Sequence, residues 1–243
     1  MGKKNKLGII IQARNGSTRL PGKVMRRVNH KTIIEYVVER VSASRLADKI
    51  IVATTNDSSD DVLADLMESK GIACVRGSVL DVLDRYYQTA CVFGLNNIVR
   101  ITADCPLIDA AVIDQVIEKF MSTGVDYCSN ILERTYPDGQ DVEVFTFDAL
   151  EKSWREAIRG NEREHVTVYM RSNPEYFQLA NLAHEPSLGK KRWTLDYEED
   201  FALIEKVLNG FSGYADYFHM EDVLEYFESH PDVEDVNRKF IIH

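Results

Sequence analysis

The chain has 243 residues, 44% of them hydrophobic and 28% charged, with a formal net charge of −10; this is the balance of a soluble globular protein long enough for one large α/β domain. No apolar run approaches the ~18 residues of a membrane span, and Leu7 to Ile11 is too short for a signal-peptide core, so a cytoplasmic location with no membrane partner is expected. The acidity disfavours nucleic acid, and Cys74, Cys91, Cys105 and Cys128 form no C-x-x-C pair, which suggests neither a zinc site nor a redox couple.

In chain order, Leu7 to Ala13 reads as a buried strand, and Ile33, Ile34, Val37, Val38 and Val41 recur at helical spacing. Ile50 to Thr54 predicts a second strand, Asp60 to Lys70 a helix, Ile72 to Val75 a short strand, Val79 to Phe93 a helix and Ile98 to Ala103 a fourth strand. Near-continuous apolar strands alternating with helices imply a mostly parallel sheet covered on both faces, a doubly wound α/β fold. From about 125 to 183 the rhythm breaks. Tyr136-Pro137-Asp138-Gly139 is a turn signal, Val142 to Phe145 alternates like a strand, polar helices are expected over 149–158 and 162–171, and Tyr176 to Leu182 reads as a further strand. We read this stretch as an insertion within a single domain spanning 1–243, supplying antiparallel strands, a pocket wall and a dimer arm. Helices are expected again over 201–208 and 220–227.

The first strand stops at Gln12. The loop after it holds the small residues Ala13, Gly16 and Ser17 and the cations Arg14, Arg19 and Lys23. Small residues let backbone N–H groups close around an anion and the cations neutralise it, so the segment reads as a polyphosphate grip. The alternative is a basic surface loop, but ligands of open α/β sheets bind where such loops leave the strands. It is not a Walker A loop: Gly16 and Gly22 are separated by five residues, Pro21 intrudes, and Val24 follows Lys23.

Two carboxylates are candidates for a metal. Asp104 follows the strand ending at Ala103, and Pro106 blocks direct continuation into helix; the rival role, capping the next helix, suits Asp109 better. Asp196, in Trp193-Thr194-Leu195-Asp196-Tyr197-Glu198-Glu199-Asp200, is expected between a short apolar strand and a helix, where it either binds metal or caps that helix with Glu199. Two carboxylates, phosphate oxygens and waters match the way Mg²⁺ is usually held. Charge is also segregated: residues 1–40 hold ten Lys/Arg against Glu35 and Glu39, whereas 195–243 hold thirteen Asp/Glu against Lys206, Arg238 and Lys239. A metal–polyphosphate ligand suits a site between the two.

With these pieces in order, the chain resembles the cytidylyltransferases that make CMP-activated acid sugars, the CMP-acylneuraminate and CMP-Kdo synthetases, and most of all the branch typified by the spore-coat polysaccharide biosynthesis protein F. The segments Ala13-Arg14 through Leu20-Pro21-Gly22-Lys23, Thr102-Ala103-Asp104-Cys105-Pro106 and Arg192-Trp193-Thr194-Leu195-Asp196-Tyr197 carry the likeness. It implies a Rossmann-like nucleotidyltransferase fold, Mg²⁺-dependent transfer of CMP from CTP to a small acid sugar, pyrophosphate release and a homodimer joined through the insertion. Arg14 and Lys23 would contact the triphosphate with Arg19 as helper, Arg76 would help place the cytidine, and Asp104 and Asp196 would bind Mg²⁺. Gly139-Gln140-Asp141-Val142-Glu143 and Arg163-Glu164-His165-Val166-Thr167 look like features of the spore-coat branch. Gln140, Glu143, Arg163 and His165 are the acceptor-side candidates, with a packed helix-face histidine as the alternative for His165. A metal-dependent glycosyltransferase is the rival enzyme, although Asp104-Cys105-Pro106 lacks its Asp-x-Asp motif. An idle nucleotide-binding subunit is the non-enzymatic one.

Overall fold

The computed structural model describes residues 6–213 and 217–241; Lys3, Lys4 and Asp216 of the charge count lie outside them. In chain order the elements are β1 (Leu7–Gln12), β2 (Arg27–Val28), β3 (Lys31–Thr32), α1 (Ile33–Ser42), β4 (Lys49–Thr55), α2 (Asp61–Ser69), β5 (Ala73–Gly77), α3 (Val82–Phe93), β6 (Asn97–Thr102) and α4 (Ala110–Thr123). They continue with β7 (Tyr127–Ser129), β8 (Glu143–Thr146), α5 (Phe147–Glu156), α6 (Gly160–Glu164), α7 (Val168–Ser172), β9 (Leu179–Asn181), α8 (Glu198–Gly210), α9 (Met220–Ser229) and α10 (Pro231–Glu234).

Seven strands form one sheet in the order β5-β4-β1-β6-β8-β7-β9. The first four run parallel, β8 lies antiparallel to both β6 and β7, and β9 returns parallel to β7. Strand alternation divides the core. Ile9, Ile11, Val52, Val99 and Ile101 pack with α1, α2, α4, α8 and α9 on one face; Ile10, Ile51, Ala53 and Ile98 pack with α3, α5 and α7 on the other. The sheet is thus covered on both faces, as near-continuous apolar strands require. Local signals set the helix ends: Thr32 and Glu35 form a capping box on α1, Asp109 caps α4 by accepting from Ala111 N, and α3 and α4 end at Gly94 and Gly124 with φ of 60° and 64°.

Three expectations are corrected. The helix expected over 162–171 is broken into α6 and α7, because Val166 turns to φ 52° with its side chain fully buried; that conformation is costly for a β-branched residue and tends to mark functional sites. The strand expected over 176–182 is confined to β9, paired residue for residue with three-residue β7. Trp193 to Leu195 is not a strand: the stretch is irregular, preceded by an isolated bridge from Arg192 to Asp138. Gly139 permits that approach, since at φ +112° a Cβ there would lie 2.7 Å from the Trp193 carbonyl carbon.

Candidate active site

The loop leaving β1 is pinned by its own backbone. Ala13 N donates to Ala53 O at 3.1 Å and Gly22 N to Asn15 O at 3.0 Å; Asn15 N donates to Asp60 Oδ1 at 2.6 Å. Gly22, at φ 71°, starts a short 3-10 turn over Lys23–Met25 that aims the Lys23 side chain under the loop. Ala13, Arg14, Ser17, Thr18, Arg19 and Lys23 line a cleft over the carboxyl ends of β1 and β6. Gly16 is in the loop but not on the cleft wall, and a Cβ there would meet nothing within 4 Å.

The far wall holds the two carboxylates. Asp104 lies two residues beyond β6, and its carbonyl accepts from Leu195 N at 2.8 Å, which fastens the irregular 193–195 stretch alongside it and brings Asp196 in. Lys23 Nζ then bridges both carboxylates, 2.7 Å from Asp104 Oδ2 and 2.9 Å from Asp196 Oδ1, and donates to Leu195 O at 2.7 Å. Burial works against the Lys23 charge, but Asp104 and Asp196 outweigh it and its pKa is raised. Burial likewise opposes the Asp104 charge, and the lysine overcomes it, holding that carboxyl below its ordinary range. Arg19 Nη2 reaches Asp196 Oδ2 at 2.8 Å.

Asp196 does not cap α8. Asp200 does, its Oδ2 accepting from Asp196 N and Tyr197 N at 2.9 Å each, which leaves the Asp196 carboxylate to the cleft. Asp200 is fully buried and held in turn by Arg192 Nε and Nη2 at 3.0 and 2.9 Å. The Asp104–Asp196 pair fits a divalent cation: both carboxylates converge on one cationic nitrogen at the cleft edge, in the arrangement that leaves phosphate oxygens and water to complete the shell. Among the described residues no cluster of three or more His, Cys, Asp or Glu could hold a metal by itself.

Of the acceptor-side candidates, His165 lines the cleft with Glu164; it ends α6 rather than packing on a helix face. Gln140, Arg163 and Arg76 do not reach the cleft. Gln140 is fully buried, donating to Leu107 O at 2.6 Å and accepting from Asp109 N at 2.9 Å, so its amide secures the loop after Asp104. Arg163 is spent on Asp81, at 3.0 and 2.6 Å, and on Trp154 O. Arg76 donates to Thr55 O and Asp57 O at 2.8 Å each and pairs with Asp61. Glu143 lies beneath the cleft floor, buried, bound to Arg100 and accepting from Tyr127 Oη at 2.7 Å and Thr167 Oγ1 at 2.5 Å. Burial opposes its charge, but Arg100 and the two hydroxyls hold its pKa below the ordinary value. Arg100 itself lines the cleft with Gln12 and Thr102. Sequence reasoning passed over it, although a lone arginine inside Ile98-Val99-Arg100-Ile101 signals a buried ion pair.

A doubly wound sheet with a cationic loop and a pair of carboxylates meeting at one carboxyl edge has the architecture of a nucleotidyltransferase. Comparison with known proteins narrows it: the cytidylyltransferase family profile matches residues 8–228, and the chain belongs to that family. It is 37% identical over 234 residues to an uncharacterised protein of Methanocaldococcus jannaschii, covering 94% of this chain and 93% of that one. It is 33% identical over 208 residues to the spore coat polysaccharide biosynthesis protein SpsF of Bacillus subtilis, covering 83% and 85%. Among solved structures, a cytidylyltransferase from Leptospira borgpetersenii superposes with a TM-score of 0.91 at 33% identity, over 98% of this chain and 99% of that one.

Proposed function

We propose that the protein transfers CMP from CTP to a small, acidic sugar acceptor in glycan biosynthesis, releasing pyrophosphate, in the cleft bounded by Arg14, Lys23, Asp104 and Asp196. The observation that carries this reading is the Lys23 ammonium held between two carboxylates beneath a cationic loop. The SpsF relative, named for spore-coat polysaccharide synthesis, supports the glycan context.

An acceptor oxygen attacks the α-phosphorus in line, and the bond to the β-phosphate oxygen breaks. The protein orients the groups and spreads the developing charge. Arg14 and Arg19, on the outer rim, neutralise the β- and γ-phosphates, and the N–H groups between Ala13 and Ser17 contribute donors. Lys23 turns the two donors it gives the carboxylates to the phosphates when the nucleotide arrives. Asp104 and Asp196, so released, would hold Mg²⁺, which supplies charge neutralisation at the α-phosphate when bound. Arg100 and His165 present positive charge and a donor to an acceptor carboxylate from the side facing Glu164. A second copy would cover Ile158 and Tyr176, 88% and 55% exposed on the segment between β8 and β9, in a homodimer.

The test is stoichiometric. Protein, CTP, Mg²⁺ and a panel of 2-keto-3-deoxy acid sugars should yield one pyrophosphate and one CMP-sugar per turnover for at least one acceptor. Pyrophosphate release from no acceptor, with transfer from a nucleotide sugar instead, would refute it.

A further inference from the structure

Residues 165–167 send three consecutive side chains three ways. His165 lines the cleft, Val166 is buried in the core cluster that holds Tyr127 and Phe145, and Thr167, itself fully buried, donates through Oγ1 to Glu143 Oε1 at 2.5 Å. The backbone does this by leaving the helix: Val166 takes φ 52°, and Thr167 N donates back to His165 O at 2.5 Å. A β-branched residue stays left-handed only where its surroundings over-determine it. Here the chain is tied on both sides of the turn. Before it, Arg163 Nε and Nη2 grip Asp81 Oδ2 at 3.0 and 2.6 Å; after it, the Thr167 hydroxyl grips Glu143. The two anchors differ in what else they hold. Asp81 caps α3, whereas Glu143 pairs through Oε2 with Arg100, a cation of the cleft wall.

One buried carboxylate therefore governs two side chains of the cleft, Arg100 through its Oε2 and His165 through its Oε1 by way of Thr167. We propose that Thr167 is a positioning residue for the acceptor side of the cleft, its hydroxyl latching the Val166 turn onto Glu143 so that His165 and Arg100 keep a fixed relation. This rests on the cytidylyl-transfer reading, in which those two side chains meet the acceptor, and deepens it. The latch sets acceptor binding and leaves the nucleotide end, built from Arg14, Lys23, Asp104 and Asp196, alone. A hydrogen bond to a carboxylate is among the stronger kinds, and a misplacement of about 1 Å in a positioned group can cost about 100-fold, so one hydroxyl is enough to carry the effect. Tyr127 supplies the contrast. Its hydroxyl donates to the same Oε1 at 2.7 Å, but its backbone belongs to β7 within the sheet, so it steadies Glu143 without pinning the turn.

The experiment compares wild type with Thr167→Val, Thr167→Ser and Tyr127→Phe. Valine keeps the shape of threonine and removes the donor; serine restores the donor. The readouts are the imidazole NMR signal of His165, assigned with His165→Gln, and KM for CTP and for whichever 2-keto-3-deoxy acid sugar supports pyrophosphate release. T167V should shift the His165 signal and raise the acceptor KM roughly 10- to 100-fold with KM for CTP unchanged. T167S should return both to wild type, and Y127F should leave the His165 signal in place. A wild-type His165 signal in T167V, an equal rise in KM for CTP and acceptor, or a T167S no better than T167V would each overturn the latch. So would a Y127F that moves His165 as far as T167V does, because the effect would then belong to Glu143 at large. Should T167V fail to fold, Thr167→Ala is read in its place. No turnover of any acceptor by wild type tells against the cytidylyl-transfer reading alone, and the latch then stands or falls on the His165 signal.

Discussion

Replacing Glu143 with glutamine separates the architecture beneath the cleft from the chemistry above it. Glu143 is 1% exposed and its partner Arg100 is 14% exposed in the side chain, so the variant leaves a guanidinium in the sheet interior without its counter-charge. With the amide oxygen kept where Tyr127 and Thr167 both donate, on the Oε1 side, the amide nitrogen turns a donor toward the arginine. Breaking a buried pair from one side costs about 3–5 kcal/mol. At about 2–4 °C per kcal/mol for a chain of this size, Tm should fall by roughly 6–20 °C. The acid limb should change as well. Glu143 titrates below its ordinary value, so the stability it contributes is present above the unfolded carboxylate pKa and is lost as pH falls through the folded one; E143Q should flatten that limb. The assay is urea unfolding of E143Q, R100M and the double variant across pH 3–8. Wild-type-like stability, with a loss under about 1 kcal/mol as for an exposed pair, would refute the reasoning, as would additivity of the two single variants.

Three further outcomes are expected. Asp196→Asn should abolish turnover while leaving the far-UV spectrum and most of the stability intact, because Asp200 and not Asp196 caps α8; normal Mg²⁺-dependent activity would sink the metal assignment. Lys23→Ala should weaken CTP binding far more than CMP binding in parallel titrations, since its ammonium serves the outer phosphates, and equal weakening would remove it from that role. Asp138, pushed up to about 6 by burial and by Asp141, has a folded pKa above its unfolded one; its contribution is therefore present at low pH and lost as pH rises through about 6. Asp138→Asn should erase that slope in stability measured between pH 4 and 7, and an unchanged slope would contradict it.

The parallel half of the fold was legible because its strands are continuous apolar runs and its helices carry strong caps: Thr32 with Glu35, and Asp109. The insertion was harder. Val166 adopts a left-handed conformation that no local pattern announces, and Trp193 to Leu195 looks like a strand yet is held in place by Asp104 and Asp138, both distant in sequence. For the candidate site, the loop cations and two aspartates stood out because charge there follows directly on apolar chain. Gln140, Arg163 and Arg76 also stood out as polar groups in promising segments, but the structure satisfies each internally. Only tertiary packing decides whether a polar side chain is spent or available.

Calorimetric titration of CTP, UTP, ATP and UDP-glucose, with Mg²⁺ and with chelator, tests cytidylyl transfer at this cleft most directly. Tight, Mg²⁺-dependent binding selective for CTP, reduced to the chelator level by Asp104→Asn with Asp196→Asn, is the expected result. Selective binding of UDP-glucose without CTP, or CTP binding indifferent to both metal and the aspartate pair, would contradict it.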